Sequence, residues 1–181
     1  MDVGRLRIDL FAFALGALAL LTLAFVGARN GAALIMCGLC FAGLLGARII
    51  GFSNRALVPV ALGLVAILWM VWIDPPASSR RTSALAHGAG GALVGWALAE
   101  YLRARVAWPL WGFAAISAVF GLTILWELGE LFGDRVLDTA LIPSARDSAE
   151  DIFFGTLGGC GAVFVAWLLL PERWRRYGGR R

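Results

Sequence analysis

Lysine is missing from this 181-residue chain: all 16 basic residues are arginine, and the only histidine is His87. Without lysine, the chain cannot be a membrane lipid phosphatase of the common type, whose motif requires one. One histidine is too few for the intramembrane CAAX-type proteases, which pair acidic residues with two histidine motifs. No GxSG supports a rhomboid-like serine and histidine pair. Neither the HExxH of metalloproteases nor the Glu-x-x-His pair of di-iron bundles occurs. Cysteine is scarce too, and Cys37, Cys40 and Cys160 make no disulfide framework. Cys37-Gly-Leu-Cys40 has the spacing of a thioredoxin-type pair, but it lies in an apolar segment with no basic neighbour to stabilise a thiolate. These two, and Cys160 among glycines, read as small buried hydrophobes.

Charge is equally thin. Charged residues make up 15% of the chain, against about 25% in an ordinary soluble protein. Hydrophobic residues make up 60%, and the mean hydropathy is +0.80. This composition predicts an integral membrane protein. The net charge of +4 comes from arginines that punctuate apolar runs, as juxtamembrane anchors do. Membrane lipids, and not nucleic acid, are therefore the expected partners.

Apolar runs long enough to cross about 30 Å of hydrocarbon at about 1.5 Å per residue fall near residues 8–27, 31–50, 56–73, 84–103, 110–132 and 147–170. Breakers separate them: Arg29-Asn30, Gly51-Phe-Ser-Asn-Arg55, Asp74-Pro-Pro-Ala-Ser-Ser, Trp108-Pro109, and an acidic connection over 133–146. The first run follows Arg5 and Arg7 as a signal peptide would, yet it exceeds a signal-peptide apolar core and reads as a retained helix. The expected fold is all-α: a polytopic bundle of six transmembrane helices forming a single domain over 1–181.

Arginine placement gives an orientation, because positively charged loops stay cytoplasmic. With the amino terminus inside, 11 arginines fall on the cytoplasmic side and five outside, namely Arg29, Arg80, Arg81, Arg135 and Arg146. Both termini are expected in the cytoplasm. Aromatic belts at Trp69 and Trp72 on one side, and at Tyr101, Trp108, Trp111, Trp167 and Trp174 on the other, agree. The tail over 171–181 reads as a basic anchor for anionic headgroups.

Against this apolar background, residues 126–151 hold seven of the 12 acidic residues: Glu127, Glu130, Asp134, Asp138, Asp147, Glu150 and Asp151. Thr123, Glu127, Glu130 and Asp134 are spaced to share one face of the fifth helix. Asp147 and Asp151 share a stripe of the sixth helix with Gly155, Gly158 and Gly159. His87 shares one of the fourth with Gly91 and Gly95, a small-residue pattern that lets helices approach closely. The topology gathers these ends at the outer surface, with the acids turned into the bundle. Glu127 lies about one turn inside the membrane, where a charge facing lipid would cost up to about 3 kcal/mol. The seven acids less Arg135 and Arg146 leave a formal charge of −5, or −3 once Arg80 and Arg81 are added. Solvent, protons or a bound cation must balance it.

Each residue also has a plainer role open to it. Ser144 with Asp147, or Asp147 with Glu150, fits a capping box. Glu150 lies off the Asp147 and Asp151 face, where solvent suits it. Asp134 and Asp138 suit a wet loop, and His87 suits a hydrogen-bonded packing position. Glu127, Glu130 and Asp151 are hardest to place this way, because each interrupts an apolar or glycine-rich helix. An imidazole among carboxylates suits a divalent metal (Zn, Mn, Fe or Mg), and equally a general acid and base pair.

The order His87-x-x-Gly90, Trp126-Glu127-Leu-Gly-Glu130 closing a hydrophobic helix, and Asp147-x-x-x-Asp151 running into Gly158-Gly159 resembles the YjdF-like small bacterial inner-membrane proteins and, more distantly, the VanZ-like group. The resemblance covers roughly residues 84–165. It implicates His87, Glu127, Glu130, Asp147 and Asp151 as one site, catalytic or metal-binding, in a protein of the bacterial inner membrane. The expected function is binding or acting on a lipid-linked or cell-envelope substrate from the periplasmic side. A small proton- or cation-coupled transporter or channel, and a non-catalytic membrane assembly subunit, are the other two readings.

Overall fold

The computed structural model describes residues 3–27, 31–73, 80–107, 109–137, 142 and 144–169. Among them there are six helices and no strand: α1 Val3–Gly27, α2 Gly31–Ile49, α3 Asn54–Ile73, α4 Arg80–Leu102, α5 Leu110–Leu137 and α6 Ala145–Leu169. The all-α expectation therefore holds. The 74–79 turn, Arg29-Asn30, Trp108, Asp138, Trp174 and the 171–181 tail lie outside the described residues.

Local chemistry sets the ends. Gly51 has φ 93°, a left-handed conformation that glycine adopts without penalty, and the Phe52 amide bonds back to the Ala47 carbonyl at 3.0 Å. Together they close α2 in a Schellman turn. Ser53 then leads into α3, its carbonyl accepting from the amides of Ala56 and Leu57 at 3.0 Å each. Phe52 stacks on Tyr101 with ring centroids 4.2 Å apart, and the Tyr101 hydroxyl donates to the Ile50 carbonyl at 3.2 Å. This pins the α2–α3 turn to the carboxyl end of α4.

Two boundaries depart from the sequence reading. α4 begins at Arg80 and not near residue 84, taking Arg80, Arg81, Thr82 and Ser83 into its first turn. α5 runs on to Leu137, past Gly133, so Asp134 is a helical residue. Its carboxylate, for which a wet loop was one expectation, accepts the Ile142 amide at 2.7 Å.

α1 packs against α2 and α3, α3 against α4, and α4 against both α5 and α6. A core of Leu18, Phe25, Cys37, Leu57 and Leu68 joins the first three helices and reaches Ala97 of α4. A second core of Ala99, Trp111, Ala115, Val163 and Ala166 joins the last three. Trp111, expected in an interfacial belt, is buried there, whereas Trp69, Trp72 and Trp167 are exposed. The cysteines are free thiols, with Cys37 buried.

The closest approach is between α4 and α6, which run parallel. A methyl group at Gly91 would lie 1.9 Å from the Gly155 carbonyl oxygen, and one at Gly158 would lie 2.0 Å from the Gly88 carbonyl oxygen. Backbone meets backbone, so neither position tolerates a side chain unless the helices part. α5 crosses this pair antiparallel to α6, with Thr123 over Gly155 and Val119 over Gly159. That register sets the α5 acids beside the first turns of α6.

Three helices, 54–73, 110–136 and 145–169, are long and apolar enough to cross a membrane. α1 and α2 offer shorter apolar stretches, Phe11–Phe25 and Ala33–Ile49, among the described residues. In α4 the two arginines, Thr82, Ser83, His87, Glu100 and four glycines dilute the apolar character. Six crossings were expected, and helix length with apolarity supports three. Leu125, Leu128 and Phe132 of α5 and Phe153, Leu157 and Phe164 of α6 are exposed. Apolar surface of this extent is compatible with a membrane protein.

Gly91→Ala should destabilise the fold by about 1–3 kcal/mol through overpacking against Gly155. Gly90→Ala, with open space at its Cβ, should be neutral or slightly stabilising. Thermal unfolding of the two variants in one detergent checks the contrast, and equal stability would refute the backbone contact.

Candidate functional site

The α4–α6 contact carries polar residues at its amino-terminal end. His87 stands one turn before Gly91 and Asp151 one turn before Gly155, so the glycine register brings their side chains together. His87 Nδ1 lies 3.1 Å from Asp151 Oδ1 and 3.1 Å from the Ser83 carbonyl oxygen. Ser83 Oγ donates to the same Asp151 oxygen at 2.7 Å. A backbone carbonyl can only accept a hydrogen bond, so Nδ1 carries a proton. This is the arrangement by which a carboxylate and a carbonyl orient an imidazole and leave Nε2 as the working nitrogen.

Nε2 faces Glu127 of α5, with Oε1 3.6 Å away. Both Glu127 oxygens are buried without a hydrogen-bond partner among the described residues. Ser148 approaches this carboxylate without reaching hydrogen-bond geometry. His87, Glu127 and Asp151 each offer a ligand atom within 4.8 Å of the others.

Glu130, one turn further along α5, is also buried, and Trp126 Nε1 donates to its Oε1 at 2.7 Å. Glu127, Glu130 and Asp151 are only 6, 8 and 5% exposed. Burial of three carboxylates with one imidazole is costly unless protons or a cation neutralise them. No arginine among the described residues makes an ion pair with any of the three. By contrast Glu100, near the other end of α4, pairs with Arg103 at 2.7 Å. Glu150 bonds to Arg80 and to Arg146 Nε at 2.9 Å.

Of the five residues singled out in the sequence, three therefore converge. Glu130 is buried beside them and held by Trp126. Asp147 stands apart from the cluster in the first turn of α6, half-buried, where its amide lies 3.2 Å from Ser144 Oγ; this is one half of the expected capping box. Glu150 faces away from the cluster, as its spacing implied, and its partners are arginines. Thr123 Oγ1 donates to the Phe120 carbonyl at 2.8 Å and meets Thr156 Oγ1 at 3.5 Å, below the acids. Sequence reasoning missed Ser83 and the donor role of Trp126. Each is four residues before its partner, His87 or Glu130, so helical spacing alone could have found them.

The arrangement sets Nε2 opposite an unsatisfied carboxylate, among polar side chains that are otherwise engaged. Such a pair can share a proton or a cation, or can exchange a proton with a substrate. Because His87 is the only histidine, nitrogen-15 spectra of the imidazole report on this site without assignment. With chelator present, a proton on Nδ1 is expected, and a bare Nδ1 would overturn the geometry. Among known proteins, the chain matches no protein-family model, no curated protein and no solved structure.

Proposed function

We propose that this chain is an integral membrane protein that holds a divalent cation between His87 and Glu127, and uses the centre to bind or act on a lipid-linked or cell-envelope substrate. One observation carries the metal reading: the buried, unpartnered Glu127 carboxylate faces Nε2 at 3.6 Å. A hydrogen bond would draw the two atoms to about 2.7–3.2 Å. Two tetrahedral ligands at zinc-like bond lengths stand about 3.4 Å apart. The observed gap therefore fits a shared cation better than a shared proton. Zn, Fe, Mn and Mg are the candidates, in increasing order of preference for oxygen over nitrogen ligands.

In this reading His87 Nε2 and Glu127 are the ligands, Glu130 is the adjoining carboxylate, and Asp151 with Ser83 fixes the imidazole. Asp147 stands in the more open first turn of α6. A bound cation supplies Lewis acidity for hydrolysis or group transfer, and buried neighbours exclude competing water. Six helices cross the bilayer in the proposed topology, with both termini cytoplasmic and the centre at the periplasmic face of a bacterial inner membrane. The arginine distribution and the YjdF-like and VanZ-like motif order support that placement. In α4, the least apolar of the six, packing within the bundle buries Thr82 and Ser83 and half-buries His87.

A second reading rests on the ion-pair distances themselves. With a proton also on Nε2, the imidazolium lies between Glu127 and Asp151, as in a proton-coupled carrier or a purely structural ion triad.

Elemental analysis of the purified protein separates the two. About one divalent ion per chain is expected. His87→Ala and Glu127→Gln should lose it, Asp151→Asn should weaken binding by about 10–100-fold, and Asp147→Asn should retain it. A metal-free wild type, purified without chelator and offered each of the four metals, would remove the metal reading. Extraction of the protein from membranes by alkaline carbonate alone would refute the membrane reading.

A further inference from the structure

On the other side of the same two helices lies a cleft of about 650 Å³, whose lining includes Arg80, Arg81, Arg146, Glu150, Phe153 and Phe154. Ser83 and Asp151 face the His87 centre, and their immediate neighbours Ala84 and Glu150 face this cleft. Three guanidinium groups meet a single carboxylate here, and Glu150 is shared between Arg80 and Arg146. The side chains of Arg80 and Arg146 remain 63 and 77% exposed. The cleft therefore carries a net positive charge on planar groups suited to forked hydrogen bonding of phosphate oxygens. α4 and α6 are parallel, so both helix amino termini add their positive ends at the same edge.

Beyond the arginines the surface turns apolar. Leu85 follows Arg81 by one turn, Phe153 and Leu157 follow Glu150 along α6, and all three are exposed. A charged rim above an apolar stripe matches a molecule with an anionic head and hydrocarbon tails, and a free anion would have no use for the stripe. α6 is one of the helices apolar enough to cross a membrane. Its first turn, where Arg146 stands, falls at headgroup depth if it does so.

We propose that this cleft binds the phosphate of an anionic membrane lipid, with the acyl chains lying along Leu85, Phe153 and Leu157. The inference rests on the membrane reading above. Glu150 acts as an internal competitor, occupying Arg80 and Arg146 until a lipid phosphate shares or replaces it.

The test uses the full chain in nanodiscs of phosphatidylcholine, with or without phosphatidylglycerol, and mass spectrometry of the lipid that stays bound after detergent extraction. Phosphatidylglycerol should be enriched on the wild type. Arg81→Ala and Arg146→Ala should each reduce that enrichment about five-fold, the effect of one basic residue at an anionic surface. Glu150→Gln should raise it, an opposite sign that loss of folding cannot produce. Equal retention of the two lipids, or arginine variants that leave the preference intact, would overturn the proposal. So would inorganic phosphate alone displacing the bound lipid at millimolar concentration, since that marks a site for free anion. Metal content measured on the same samples keeps the two readings apart. Lost lipid preference with the ion retained refutes only the cleft, and a metal-free protein with arginine-dependent lipid enrichment refutes only the metal centre.

Discussion

Direct backbone contact between α4 and α6 is the constraint on which the remainder of the molecule depends. Two helices can come this close only where no side chain intervenes, and Gly91 and Gly158 supply those places on opposite partners. The contact fixes both the separation and the register. Register in turn decides which residues one turn earlier oppose each other, and these are His87 and Asp151. The polar centre is thus a consequence of packing that contains no polar atoms other than the peptide groups themselves.

The charge imbalance has the same origin. By drawing Asp151 inward against Ser83 and His87, the contact turns Glu150 outward, onto the arginines. Adjacent residues on a helix point about 100° apart, so one carboxylate becomes a buried acid with no arginine partner and its neighbour a half-buried acid with two. Buried acids of the first kind impose a cost that the fold must offset elsewhere, and they persist in proteins chiefly where a ligand or proton completes them. Two chemically unlike faces, one acidic and enclosed, one basic and open, are therefore built from the same two turns of helix.

Much of this was legible in the sequence because the background is so apolar. His87, Glu127, Glu130 and Asp151 stand out wherever they fall, and glycines at three- and four-residue intervals mark the faces that meet. Helix existence followed from the run lengths, and all six helices are there. The number that cross a membrane did not follow as directly, because His87, Glu100 and four glycines dilute the apolar run of α4. Nor did the partners. Nothing in the spacing of Glu127 says that it meets an imidazole; that depends on how α5 is rotated about its axis. Asp134 follows Gly133, past the end of the apolar run, where a wet loop was one of its two expected settings. Helical hydrogen bonding continued through it, and the carboxylate found the Ile142 amide.

The unequal way in which the three helices are joined has a mechanical consequence. α4 and α6 touch through rigid peptide groups, so His87, Ser83 and Asp151 move as a single body. α5 meets that body through side chains alone, Thr123 and Val119 at the glycines and Trp111 and Ala115 in the second core. Any sliding of α5 leaves the imidazole and its orienting partners undisturbed and alters one coordinate, the gap between Nε2 and the Glu127 carboxylate. The centre thus has one side fixed by peptide contact and one set by side-chain packing, and the width between them is decided by where a single helix sits along its neighbours.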